Sequence, residues 1–390
     1  MSGLILIRNA DVYAPEVLGR KDVLIAGGKI QAIASSLEEP VGVECRIIDA
    51  DGMKLMPGLI DGHVHIAGAG GDGGPATRTP EVQLKQLVLG GITTVIGCLG
   101  TDGITRSVGS LVMKAKAIRA QGLSAFVYTG SYQVPAPTLT GEVSSDLAYI
   151  EEIVGVGETA VADRRSSSPT VEELIKLAKA TLVGGLLGGK AGVVHLHMGD
   201  SDNPFALIYE AVEKSDLPIT RFYPTHVNRN PRILGDAVEL GKLTAIDITA
   251  AVDPSEPLWG KEIRPVEAMR QLVEGGVPLD NITMTSDGCG SLPEFDENGH
   301  IIGAKIGEPS ALYANMADIV RQDVLPLEKA LKTVTENPAR ILRLKDKGRI
   351  AIGADADLLL AHDDLSLSWV VAAGQSWMEN GEQVRKGSFE

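Results

Sequence analysis

Eight short apolar runs, at residues 59–65, 93–98, 124–129, 153–158, 193–198, 219–226, 244–248 and 282–287, recur along the middle of this chain. Helix-period segments at 80–89, 111–121, 171–182, 203–214, 232–240 and 265–274 separate most of them. Parallel strands cannot be joined by a tight hairpin and need a long crossover, usually a helix. The alternation therefore predicts parallel βα units, and eight of them make an α/β fold of the (β/α)8 TIM-barrel type, typically about 250 residues. A doubly wound open sheet is the competing fold, but no G-x-G-x-x-G follows the first strand.

Both ends read differently. Strand-like runs at 4–7, 22–25, 29–33 and 46–49 are punctuated by Gly27–Gly28 and Asp51–Gly52, and runs at 357–361, 369–371 and 376–378 precede a turn signal at Asn380–Gly381. Two unrelated β appendages are one reading. Neither half alone has enough strands to be stable, which favours one small β-sandwich domain formed by both chain termini. The expected division is 1–57 and 346–390 for that domain and 58–345 for the barrel.

The segment GLIDGHVH at 58–65 places His63 and His65 two apart on a strand, so both imidazoles face one side, the barrel interior near its C-terminal mouth. Later strand ends each add one donor: Glu158, His197, His226 and Asp287. Convergence of these six at the barrel mouth would supply ligands for two divalent metal ions bridged by a carboxylate, and imidazole with carboxylate suits zinc. His195, one layer deeper than His197, is read as a barrel-core histidine. Cys45, Cys98 and Cys289 are odd in number and lack zinc-type spacing, so they predict neither a disulfide framework nor a thiolate site, and they fit a reducing cytoplasm. GGLLGGKA at 184–191 nearly matches a phosphate-binding loop, but Ala191 stands where Ser or Thr would hold magnesium.

Charge narrows the partners. Asp and Glu number 51 against 36 Lys and Arg, a net −15 that would repel a phosphate backbone, so nucleic acid is not expected. No apolar run approaches the roughly 20 residues of a membrane span, and none is expected to enter a membrane. A small-molecule substrate remains.

The blocks HVHIAGAGGDGGPATRTPEV, GCLGTDG, TGSYQVP, GGLLGGKAGV, HMGDS, PTHVNRN and SDGCGS, between about residue 55 and about residue 295, resemble the amidohydrolase superfamily and, within it, the isoaspartyl dipeptidases. The resemblance implies a metallo-dipeptidase that cleaves the β-aspartyl bond of dipeptides. It implies that His63 and His65 with Asp287 hold one zinc ion and His197 with His226 the other. Glu158 occupies the bridging position, where these relatives carry a carboxylated lysine. Asp287 would act as general base and then acid, and Tyr132 would bond the oxyanion. Arg165, Arg229, Asp72, Thr101, Ser291 and Gly70 match substrate contacts: the arginines for carboxylates, and Asp72, in place of a glutamate, for the ammonium. A homo-oligomer is implied as well. The Asp72 and Glu158 departures keep open a related hydrolase of cyclic amides or N-acyl amino acids, and a non-catalytic barrel scaffold is the third possibility.

Overall fold

A computed structural model describes residues 3–258, 261–296 and 301–390. Five strands open the chain: β1 (Leu4–Tyr13), β2 (Val17–Ala26), β3 (Lys29–Ala34), β4 (Cys45–Asp49) and β5 (Lys54–Pro57). The barrel strands follow as β6 (Leu59–Val64), β7 (Ile92–Gly97), β8 (Ser124–Thr129), β9 (Ile153–Val161), β10 (Val193–Met198), β11 (Phe222–Thr225), β12 (Ile246–Thr249) and β13 (Ile282–Thr285). β6 to β11 form a parallel sheet in chain order, and β12 pairs in parallel with β13. β12 packs beside β11 and β13 beside β6, with a parallel bridge from Val64 to Gly288, which closes the ring. Both faces of such strands are covered, so nearly every residue in them is buried and the apolar runs are continuous rather than alternating.

The helices are α1 (Leu84–Leu89), α2 (Val108–Gln121), α3 (Val143–Tyr149), α4 (Val171–Gly188), α5 (Ala206–Glu213), α6 (Pro231–Gly241), α7 (Pro265–Glu274), α8 (Ala311–Arg321), α9 (Leu327–Val334) and α10 (Glu336–Ile341). α4 is capped at its start by Thr170, whose side chain and that of Glu173 cap each other's backbone N–H, and at its end by Gly189 in the left-handed conformation (φ 67°). The near phosphate-loop motif is therefore the last turn and cap of a helix. Residues 219–221, expected as strand, form a 3-10 turn after Pro218, which shortens β11 to four residues. Past β13 lies a hairpin, β14 (Ser291–Phe295) with β15 (Ile301–Ile306).

The chain closes with β16 (Leu358–Ala361), β17 (Leu367–Ala372), β18 (Gln375–Glu379) and β19 (Glu382–Gln383). Both ends join in one nine-stranded sheet, ordered β19-β18-β17-β16-β5-β1-β2-β3 with β4 also on β1. β5, absent from the sequence expectation, is the seam: it runs parallel to β1 and antiparallel to β16. On β16 the side chains alternate, as a strand requires. Leu358 and Leu360 join the terminal cluster with Ile25, Leu55 and Trp369, while Leu359 joins the barrel's core with Val370 and Trp377. Buried Lys347 ties the parts together, with Nζ 2.6 Å from Asp357, 2.8 Å from Asp355 and 2.5 Å from Ser124 on β8. Among the described residues no helix is long and apolar enough to cross a membrane.

Candidate metal centre and substrate cleft

The donor residues lie at the C-terminal ends of β6, β9, β10, β11 and β13. His226 (φ 62°) and Asp287 (φ 50°) stand just past their strands in the left-handed backbone region. That conformation costs a non-glycine residue about 1 kcal/mol or more and is concentrated at functional sites.

Hydrogen bonds fix the histidine tautomers. His195 Nδ1 is 3.0 Å from the Tyr223 carbonyl, to which only an N–H can donate, so its Nε2 accepts. That Nε2 lies 2.8 Å from His63 Nδ1, which must then donate, leaving His63 Nε2 with a bare lone pair. His63 Nε2 is buried without a hydrogen-bond partner, as are Glu158 Oε2 and Asp287 Oδ1. The three face one another: His63 Nε2 is 3.5 Å from each of the two oxygens. His65 Nε2 completes the group, 3.1 Å from Asp287 Oδ1 and 3.8 Å from Glu158 Oε2. Donors about 2.0–2.1 Å from a tetrahedral zinc ion are separated by roughly 3.4 Å. Unsatisfied buried polar atoms at that spacing fit a metal ion, since without one each would be a costly orphan.

A second group uses the other oxygen of Glu158. Oε1 lies against His197 Nδ1 and 3.0 Å from His226 Nε2. The opposite nitrogens are held too: His226 Nδ1 is 2.6 Å from Thr249 Oγ1, and His197 Nε2 is 3.1 Å from Asp163 Oδ2. Asp163 can only accept, so it keeps the proton on His197 Nε2 and frees Nδ1 as a donor atom. The guanidinium nitrogens of Arg165 and Arg229, 3.3 and 3.2 Å from the same Nε2, are then close cations rather than hydrogen-bond donors to it. Glu158 thus touches both groups, one oxygen to each. Burial opposes its ionisation, but the surrounding His63, His197 and His226 imidazoles outweigh it and hold the carboxyl well below its ordinary range. Burial pushes His226 down to about 3, which keeps it neutral and ligand-competent.

Above these groups opens a cleft of about 1370 Å³. Gly70, Asp72, Thr101, Tyr132, Arg165, Arg229 and Ser291 all line it. Tyr132 is buried, with its hydroxyl 2.8 Å from His197 Nδ1. Arg165 grips Asp163 with two 3.0 Å bonds, stacks 5.3 Å above the Tyr132 ring and lies 3.8 Å from Asp72. Gly70 (φ 74°) lets the chain pass so close to Thr77 and Ser291 that a Cβ there would meet the Thr77 carbonyl oxygen at 2.4 Å.

Sequence reasoning missed four residues here. Asp163 and Glu262 lie in loops with no periodic pattern. Glu262 is half-buried in the cleft wall, and burial pushes its carboxyl up to about 7, against the pull of Arg229. Asn228, inside PTHVNRN, is fully buried and binds the backbone of Thr249 and Ile263. Cys98, set aside for its spacing, sits 3.8 Å from His65 Nδ1 and close enough to His63, His65 and Glu158 to share an ion. Cys289 is buried, and its thiol is pushed up to about 12 by that burial, so it packs rather than reacts.

Residues 261–380 match the amidohydrolase family. A dihydroorotase of Elusimicrobium minutum is 25% identical over 94% of this chain and 89% of its own. An allantoinase of Deinococcus radiodurans is 25% identical over 92% and 87%. The solved β-aspartyl dipeptidase of Fervidobacterium islandicum, in complex with the β-Asp-Leu dipeptide, is 40% identical, has a TM-score of 0.94 and matches over 100% of both chains. With that identity along its whole length, and with the paired donor groups at the barrel mouth, this chain belongs to the amidohydrolase family, in the branch of the β-aspartyl dipeptidases.

Proposed function

We propose that the protein hydrolyses the β-aspartyl peptide bond of isoaspartyl dipeptides with two divalent ions, zinc by the character of the donors. The observation that carries the reading is the meeting of three buried, partnerless atoms, His63 Nε2, Glu158 Oε2 and Asp287 Oδ1, on the floor of a cleft with two arginines in its wall. His63, His65 and Asp287 would hold one ion, His197 and His226 the other, and Glu158 both. When bound, the ions lower the pKa of water and polarise the scissile carbonyl.

The chain's own groups do the rest. Asp287 takes the proton of the attacking water and returns it to the leaving nitrogen as the C–N bond breaks. Tyr132 donates a hydrogen bond from its hydroxyl to the carbonyl oxygen as charge develops there. Arg165 and Arg229 bind substrate carboxylates, for which the guanidinium fork is suited, and Thr101, Ser291 and the Gly70 backbone supply neutral contacts. Residues 1–57 and 346–390 serve as one small supporting domain. The free cysteines fit a reducing cytoplasm, and the protein works as a homo-oligomer.

The test is a substrate panel with metal analysis. Release of aspartate from β-Asp-Leu but not α-Asp-Leu, abolished by a chelator and restored by zinc, is expected. Turnover of dihydroorotate or a hydantoin with none of β-Asp-Leu would move the protein to the cyclic amides. Absence of bound metal would leave only a scaffold.

A further inference from the structure

The motif GGLLGGKA at 184–191 takes no part in the chemistry of the cleft, yet its packing is exacting. A Cβ on Gly184 would meet the Ser144 carbonyl oxygen at 2.7 Å, and one on Gly188 the Leu147 carbonyl oxygen at 2.4 Å, closer than real contacts allow. These two glycines let α4 lie directly on the backbone of α3. The leucines between them turn away from that contact: Leu186 and Leu187, with Val183 one turn earlier, are exposed. Tyr149 ends α3 next to Ala148, whose Cα would be 3.4 Å from the same Cβ on Gly188, and it is exposed too.

Tyr149 also borders a shallow recess of about 520 Å³, walled by Gly109, Val112, Met113, Leu139 and Ile150. Ridge and recess form one apolar face across α2, α3 and α4. The face is held in place, since buried Asp146 of α3 accepts the Leu139 N–H at 3.0 Å. Its charged rim is locally balanced: Arg119 meets Glu151 at 2.5 Å and Glu152 at 3.2 Å, and Lys116 meets Glu152 at 2.7 Å.

Met113, Leu139, Tyr149, Val183, Leu186 and Leu187 are each between 49% and 83% exposed. Taking roughly 150–250 Å² for a large side chain when fully open, they present about 700 Å². The largest apolar patch on an ordinary monomer is about 300–600 Å², and each partner in a stable interface contributes roughly 800 Å². The occupant that fits is a second copy of this chain. At net −15, copies repel one another, so association needs a face where charge is balanced and apolar surface leaves water. A ridge and a recess on one face also complement each other under a two-fold rotation.

We propose that the α2–α3–α4 face joins two copies of this chain about a two-fold axis, the Leu186–Leu187 ridge of each copy entering the recess beside Tyr149 of the other. This rests on the homo-oligomer reading above and assigns it a surface.

The test is sedimentation of the full chain over a dilution series, for wild type, Leu187→Lys and Tyr149→Glu. Ile352→Glu is the control, an exposed apolar residue on the segment bonded to β3. Lysine is a good helix former and a cation suits a helix C-terminus, so α4 keeps its fold. Residues at the centre of an interface dominate its energy, and the two-fold axis repeats each substitution, so self-association should weaken roughly 100-fold or more in both variants. Circular dichroism and metal content should stay at wild-type values, and the control should stay associated. If Leu187→Lys fails to fold, Tyr149→Glu at the open end of α3 carries the test. Association undisturbed by the substitutions, or disturbed equally by the control, overturns the proposal and leaves the homo-oligomer reading standing. A wild type that stays a single chain at every concentration overturns both, and if that single chain sediments with lipid vesicles the face belongs to a bilayer.

Discussion

His63 Nδ1 and His195 Nε2 stand 2.8 Å apart, and this contact decides which nitrogen of His63 faces the donor group. His195 is itself set by the Tyr223 carbonyl and stacks on Tyr128 at 4.8 Å, so the chain of orientation runs from barrel core to barrel mouth. Replacing His195 with Ala removes the acceptor and lets the His63 ring rotate or change tautomer. The expected outcome is a 10- to 100-fold weaker first ion, roughly, read by chelator competition, with the ion on His197 and His226 retained. An unaltered affinity for both ions would mean that packing alone orients His63.

Asp146 governs the segment 131–150. Its buried carboxylate accepts from Thr129 Oγ1 at 2.5 Å, from the N–H groups of Leu139 and Thr140 at 3.0 and 2.8 Å, and from Thr140 Oγ1 at 2.7 Å. A segment clamped in this way is part of the frame rather than a free lid. Asp146→Ala strands those donors and should lower unfolding free energy by about 3 kcal/mol, since bonds to charged groups are the stronger ones. Urea titration measures it, and limited proteolysis should then cut within 131–150. Tyr132 sits in the loosened stretch, so kcat should fall while metal content holds.

Barrel strands were legible because burial on both faces leaves a continuous apolar run, and His63, His65, Glu158, His197, His226 and Asp287 all end such runs. Short or broken elements were not. β5 is four residues whose role depends on partners at both chain ends. α9 and α10 meet at Thr335, whose backbone (φ −136°, ψ −81°) interrupts the helical period. Glu262 was invisible for another reason. Its position comes from Asn228, 35 residues from the Ile263 it holds, and no local pattern encodes a bond of that length.

Acid should expose the anchor of the loop after β7. Asp102 accepts from Arg78 at 2.7 Å, Arg106 at 2.9 Å and the Thr105 N–H at 2.7 Å. Burial opposes its ionisation, but the Thr105 and Ile104 hydrogen bonds and Arg78 outweigh it and depress the carboxyl well below its usual value. A depressed carboxylate stabilises the folded state above its unfolded pKa, near 4, and that contribution is lost as pH falls through the folded value. The stability difference between wild type and Asp102→Asn should therefore be full at pH 7 and shrink below about pH 4. Unfolding titrations at several pH values measure it, and a gap that widens in acid would contradict the argument.

Gly290 offers the sharpest test of the two proposed ion sites. A Cβ at this position would lie 2.2 Å from Asp287 Oδ1 and 2.7 Å from the Asp287 carbonyl oxygen, closer than real contacts allow. The side chain could swing away, but the backbone oxygen cannot: the Gly290 N–H donates to it at 2.9 Å, and a Cβ on Gly307, where none exists, would lie only 2.1 Å from it. Gly290→Ala should therefore turn Oδ1 out of the group formed with His63 and His65, and leave Glu158 Oε1, His197 and His226 undisturbed. Bound metal should drop from two equivalents to one, with hydrolysis lost by orders of magnitude because the same carboxylate is the proposed proton carrier. A variant that keeps both ions yet loses activity would assign Asp287 to proton transfer without ligation, and one that loses neither would remove it from the centre.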